Sequence, residues 1–192
     1  TLMGLCLHAA IPLGLVLLQP DYGTAMVCAF ITIFMLYFGG VRIRYFVMGF
    51  SAFVAMIPIL WFFVLDQFQK NRIYVFLDPQ SSPMGAGYNV IQSKLAVGSG
   101  MLFGKGLFKG TQIQLDYLPG KHTDFIFAVA GEEFGFIGCL LIIALSAVII
   151  SRLFIGAERV KKDSGAFILI GIAAMFLFQN FENIGMCIGV MP

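Results

Sequence analysis

Charge is what this sequence has least of. Only 11% of its 192 residues are Asp, Glu, Lys or Arg, against about a quarter in a soluble domain. A soluble globule with a polar skin is thereby excluded. The net charge of +2, with no basic run interleaved with aromatics, gives nucleic acid no footing as a partner. Cysteine is sparse too: Cys6, Cys28, Cys139 and Cys187 lie in or at the ends of apolar segments, without CxxC or other metal-like spacing. They read as packing residues and say nothing of redox compartment. Tryptophan occurs once, as Trp61, and there is no internal repeat or low-complexity tract.

What remains is apolar: 59% of the chain, with 21 Phe. That composition indicates an integral membrane protein. Five apolar segments, at 2–18, 25–40, 46–65, 125–151 and 166–186, are each near the length that crosses about 30 Å of hydrocarbon as a helix. Pro12 and Pro58 fall inside two of them, which membrane helices tolerate by kinking. The expected fold is therefore all-α: a polytopic membrane helix bundle, one membrane domain over 1–192. The chain opens on Thr1 and stops at "GVMP" after an apolar run, so both ends read as cut from something longer.

Five consecutive spans put alternate connections on opposite sides. The short loops 41–45 and 152–165 carry Arg42, Arg44, Arg152, Arg159, Lys161 and Lys162, which marks them as cytoplasmic. "QPDYGT" (19–24), the long segment 66–123 and the C-terminal "GVMP" then face outward. Within 66–123, "DPQSSPMGAG" (78–87) is a turn region. "YNVIQSKLAV" (88–97) places Tyr88, Ile91 and Leu95 on one helical stripe, predicting an amphipathic helix at the interface. "GSGMLFGKG" is not a nucleotide-phosphate loop: the spacing is one residue too long, and Gly106 stands where Ser or Thr is required. A membrane-surface loop and a cradle for some other phosphate both fit it.

The few charges crowd one place. "LPGKHTDFIFAVAGEEFGF" (118–136) brings His122, Asp124, Glu132 and Glu133 to the start of the fourth span, just after Asp116. Asp124 fits a helix-start carboxylate favoured by the macrodipole. Carboxylates at membrane depth are costly, however, and are usually functional. Glu132, Glu133 and Glu182 fit both a functional role and pairing with polar groups on neighbouring helices. Asp21 lies in the other outward loop. His8, isolated in an apolar span, reads as a core histidine, and Lys70 and Arg72 as head-group anchors. Such a cluster suits a base beside a pyrophosphate, a divalent-cation site, or a transporter's proton or cation site.

Four stretches carry a resemblance: "QPDYGTA" (19–25), "GAGYNVIQSKLAVGSGMLFGKG" (85–106), "GTQIQLDYLPGKHTDFIFAVAGEEFGFIG" (110–138) and "FENIGMCIGVMP" (181–192). Together they resemble the SEDS family (shape, elongation, division and sporulation), and its RodA-like elongation branch more than its division branch. The blocks stand in the family's order along nearly the whole chain. The resemblance implies a ten-helix protein of the bacterial cytoplasmic membrane, with this chain holding roughly helices five to nine. It implies polymerisation of lipid II into peptidoglycan glycan strands outside the membrane, with a class B penicillin-binding protein and other elongation machinery as partners.

By that resemblance Asp124 is the catalytic residue. The substrate-binding candidates are Asp21, Asp116, Gln92, Lys94, Ser99, Lys105, Lys109, His122 and Thr123, with the lysines near the pyrophosphate. Asp124 and Asp116 are candidates to hold a divalent cation, Mg or Mn. Two departures are visible: Tyr22 replaces a usual Leu, and Gly120–Lys121 replaces a Glu followed by Arg or Ala. The competing functions are a flippase for lipid-linked precursors, resting on Glu132, Glu133 and Glu182, a division-type polymerase, and a scaffold whose outer loop recruits a partner.

Overall fold

A computed structural model describes residues 2–19, 21–64, 67–78, 86–115, 117, 118, 120 and 123–191. Among them all regular structure is helical: α1 (Leu2–Leu18), α2 (Tyr22–Phe38), α3 (Ile43–Ile59), a π-helical turn (Leu60–Val64), α4 (Gln67–Leu77), α5 (Ala86–Ser99), α6 (Thr111–Gln114), α7 (Ile126–Arg159) and α8 (Asp163–Ile188). Three described helical runs are long and apolar enough to cross a membrane: Ile43–Phe63, α7 and α8. The apolar α1 and α2 are shorter, at 17 residues each, a rise of about 26 Å. Pro58 sits just before the π turn. Its missing N–H leaves the carbonyl of Val54 without its usual ladder partner.

The chain forms two compact units. One comprises Thr1–Val54 and Ser146–Gln179. In it α1 packs on α2, and Phe30, Phe34 and Phe38 repeat every four residues, which lines them along one face of α2. Their rings meet Phe178 at 4.9 Å and Phe154 at 6.5 and 5.7 Å. Contacts of this kind add about 0.5–1.5 kcal/mol each beyond area burial. Gly40, at φ 81, ends α2: its own N–H reaches Tyr37 O and that of Val41 reaches Leu36 O, so the last carbonyls of the helix are satisfied.

The other unit comprises Ala55–Leu145 and Asn180–Pro192. Its core joins Ala96 of α5, Leu118, Phe127, Ala128 and Cys139 of α7, and Cys187 of α8. The face of α5 turned into the protein carries Ser93 and Ala96, both fully buried, while Leu95 of the Tyr88–Ile91–Leu95 stripe is 52% exposed. Small side chains win that face because backbones meet there. A Cβ on Gly100 would overlap Gly131 O, and the buried Ser93 hydroxyl is satisfied by donating to Cys187 O at 2.8 Å. Helix α4, within the long outer segment, has no counterpart in the apolar pattern.

Candidate active site

Two arrangements in this second unit hold Ser99, Lys105, Glu132 and Glu133, and Asp124 with Lys94. The first is built on a break in α7. At Gly135 the backbone takes φ 68, ψ −164, a combination open essentially to glycine alone. The break frees the carbonyls of Glu132 and Glu133, and the loop after α5 fills the gap. Lys105 N–H donates to Glu132 O at 2.9 Å and Gly106 N–H to Glu133 O at 3.0 Å. In return, Phe136 N–H donates to Met101 O at 2.8 Å and Ile137 N–H to Leu102 O at 3.2 Å. A Cβ on Gly104 would overlap Glu133 O, and one on Gly135 would overlap Gly104 N. The glycines of "GSGMLFGKG" thus permit a backbone-to-backbone seam.

Along that seam the Glu132 carboxylate is fully buried. Its Oε1 accepts from Lys105 Nζ at 2.8 Å, Thr111 Oγ1 at 3.2 Å and the Gln112 N–H at 3.1 Å, with Ser99 Oγ at 3.4 Å. Lys105 Nζ also donates to Thr111 Oγ1 at 2.8 Å. Glu133 accepts from the Phe108 N–H at 3.1 Å. Buried charge survives only when paired and hydrogen-bonded, and both conditions are met at Oε1. Glu132 Oε2 and Gln112 Oε1 are buried without a partner among the described residues.

The second arrangement gathers around the end of α8. Asp124 is exposed, two residues ahead of α7. Its main chain is fixed on both sides. Thr123 N–H and Phe125 N–H donate to Gly120 O at 3.0 and 3.2 Å, with Gly120 at φ 71. Asn183 Nδ2 donates to Asp124 O at 2.8 Å. The Asp124 carboxylate stands over the Gly120 turn, where a Cβ would lie 3.6 Å from Oδ2. The stem of Lys94 lies across Gly189, the φ 71 residue that ends α8. A cation there complements the carbonyl end of the helix. Asp124, Ser93 and Lys94 are therefore all held against Asn183–Gly189.

The remaining predicted residues are dispersed. Asp116 and His122 lie outside the described residues. Thr123 and Lys109 are exposed, and Gln92 is half-buried with Oε1 unpartnered among the described residues. Glu182 is half-buried and partnered. Asp21 belongs to the other unit. There it caps α2, accepting from Thr24 N–H at 3.1 Å and from Thr24 Oγ1 at 2.7 Å. Those bonds from Thr24 hold its carboxyl below the ordinary aspartate range. No group of three or more His, Cys, Asp or Glu suited to a metal occurs among the described residues. Sequence reasoning missed Asn183 as the anchor of Asp124 and Thr111–Gln112 as partners of Glu132. The only signal for the latter was their place in the "GTQ" block.

The whole chain, residues 1–192, matches the model of the FtsW/RodA/SpoVE family, described as cell cycle protein. The peptidoglycan glycosyltransferase MrdB of Escherichia coli K12 is 44% identical over 181 residues, 94% of this chain and 49% of that protein. The probable peptidoglycan glycosyltransferase FtsW of Trichlorobacter lovleyi is 41% identical over 180 residues, 94% of this chain and 46% of that protein. A solved structure, "Structural coordination of polymerization and crosslinking by a peptidoglycan synthase complex", matches with a TM-score of 0.76 at 33% identity, over 98% of this chain and 51% of that one. The chain spans about half the length of the curated relatives it matches.

Proposed function

This chain belongs to the FtsW/RodA/SpoVE family of cell cycle proteins, and we propose that the protein is a peptidoglycan glycosyltransferase that polymerises lipid II during cell elongation. The observation that carries the reading is the 44% identity, along 94% of the chain, to a peptidoglycan glycosyltransferase. Identity is higher to MrdB than to FtsW, which favours the elongation role over division. The likeness to a synthase complex that couples polymerisation to crosslinking supports a class B penicillin-binding protein as partner. The long apolar helices and the basic residues in and beside the two short connections, Arg42, Arg44, Arg152, Arg159, Lys161 and Lys162, support the bacterial cytoplasmic membrane, with 66–123 and Asp124 facing outward.

In the proposed reaction the acceptor sugar's 4-hydroxyl attacks the anomeric carbon of the donor. The new C–O bond forms as the bond to polyprenyl pyrophosphate breaks, and the hydroxyl proton passes to Asp124. A base of this kind contributes about 10²–10⁴-fold. Asp124 suits the role because its backbone is pinned while its carboxylate is exposed. Among the lysines, Lys94 is best placed for the departing pyrophosphate, being exposed and held at the same helix end. Lys105 already serves Glu132. Asp116 and Asp21 remain candidates for orienting substrate.

The test uses purified full-length protein with its penicillin-binding partner and defined lipid II, with glycan polymer read on a gel. Wild type should give polymer, and folded Asp124→Asn none. Polymer from both at equal rate would remove Asp124 as base and bring Asp116 forward. No polymer from folded wild type would favour a flippase.

A further inference from the structure

The loop between α5 and α6 turns its large apolar side chains outward. Met101, Phe103 and Phe108 are 82%, 79% and 74% exposed, and Leu102 and Leu107 are 59% and 53% exposed. A contiguous apolar surface of this kind marks an interaction site. Met101 and Phe108 also take left-handed backbone, at φ 49 and φ 57. That conformation is costly for bulky residues and persists only where surroundings impose it.

Much of the backbone of the same loop is turned toward α7 and paired. Gly104, Lys105, Gly106 and Phe108 donate to Gly100 O, Glu132 O, Glu133 O and Glu133 Oε1, while the Met101 and Leu102 carbonyls accept from α7. Phe108 O accepts from Gln114 Nε2. Irregular backbone is tolerated at membrane depth only where protein covers it, as α7 covers these groups.

Helix α7 gives the depth. No charged residue lies between Glu133 and Arg152, and that run, 134–151, rises about 27 Å, close to the roughly 30 Å of hydrocarbon. The hydrocarbon edge therefore falls near Glu133–Phe134. The loop is bonded to Phe136 and Ile137, about 3–5 Å inside it. The exposed flank of α7 there is Phe136, Ile137 and Leu140. A groove of about 460 Å³, walled by Val97, Met101, Phe127, Phe136, Leu140 and Ile184, joins that flank to the loop.

We propose that Met101–Phe108 is a rigid wedge inserted in one leaflet, its side chains among phospholipid acyl chains and its backbone covering the buried carboxylates of Glu132 and Glu133. The inference does not depend on the enzymatic reading. The test places a benzoylphenylalanine photocrosslinker at Phe103 in full-length protein, in phosphatidylethanolamine–phosphatidylglycerol vesicles with the penicillin-binding partner present. The same label at Leu141, on the exposed apolar face of α7, is the reference. Phospholipid adducts at 103 should come within about threefold of those at 141, since both would face acyl chains. Adducts to the partner protein, or a lipid yield at 103 far below the reference, would overturn the wedge. A label at Met101 repeats the measurement should the first variant fold poorly.

Discussion

Lys105 Nζ stands 2.8 Å from Oε1 of Glu132, and the carboxylate it meets is fully buried while the lysine side chain is 29% exposed. The two ends of this pair are therefore unequal. Losing the lysine strands a buried anion, whereas losing the anion leaves a cation with a route to water. Lys105→Met should cost on the order of 3 kcal/mol, and Glu132→Gln distinctly less. The double variant should be more stable than Lys105→Met alone. Apparent melting of full-length protein in detergent would test the order. A double variant as unstable as the sum of the singles would show that the pair is not coupled.

The break in α7 makes a second prediction. Gly135→Ala places a Cβ on a backbone at φ 68 and drives it into Gly104 N. Strain alone is about 1–3 kcal/mol, and the clash with the loop adds to it. Gly98→Ala, in α5 with nothing within 4 Å of the new methyl, should be neutral or stabilising by up to about 1 kcal/mol. Similar melting temperatures for the two variants would mean that α7 runs unbroken through residue 135.

This break also marks where the sequence stops being legible. The apolar runs announce the helices because burial in lipid is a property of composition and length, which each segment carries by itself. "EEFGFIG" carries no such sign of its interruption, since a single glycine in an apolar run is compatible with a continuous helix. What opens the ladder is a loop some thirty residues away. The protein-facing side of α5 is hard to read for a related reason: the stripe of Tyr88, Ile91 and Leu95 speaks for the membrane interface and not for the opposite face. Ser93, Ala96 and Gly100 are selected where backbones must approach. Glu132 stood out as a charge in an apolar helix, but its partner Lys105 was indistinguishable from Lys94 and Lys109.

Asp21 offers a pH-dependent test. Hydrogen bonds from Thr24 lower its pKa in the folded protein, so its contribution to stability is fully present above the ordinary aspartate pKa. It is lost as pH falls through the lowered value. Melting should accordingly be insensitive to Asp21 ionisation from pH 5 to 8, with its cap contribution declining only on the acid side. Asp21→Asn, which keeps a cap acceptor but loses the charge, should lower melting at pH 7 slightly, and Asp21→Ala should lower it more. If Asp21→Asn nonetheless abolished polymer formation, the carboxylate would have a role beyond capping.

Asn183 makes the most discriminating case for how Asp124 is held. Its amide donates to the Asp124 main-chain carbonyl, not to the carboxylate. It therefore fixes the main chain at Asp124, the proposed base, without touching the carboxylate. Asn183→Ala removes one hydrogen bond, worth about 1 kcal/mol, so folding should survive. A misplaced base slows turnover steeply, because catalytic geometry is sensitive at the level of an ångström. We expect kcat to fall about tenfold or more with KM for lipid II little changed, and Asn183→Gln to recover part of the loss by offering the same donor on a longer arm. Asp124→Asn should behave in the opposite sense on stability and rate: no loss of melting temperature, since the carboxylate is exposed, and no polymer. A loss of lipid II affinity in Asn183→Ala at unchanged kcat would place the residue in substrate binding instead, and would detach the α8 end from the chemistry at Asp124.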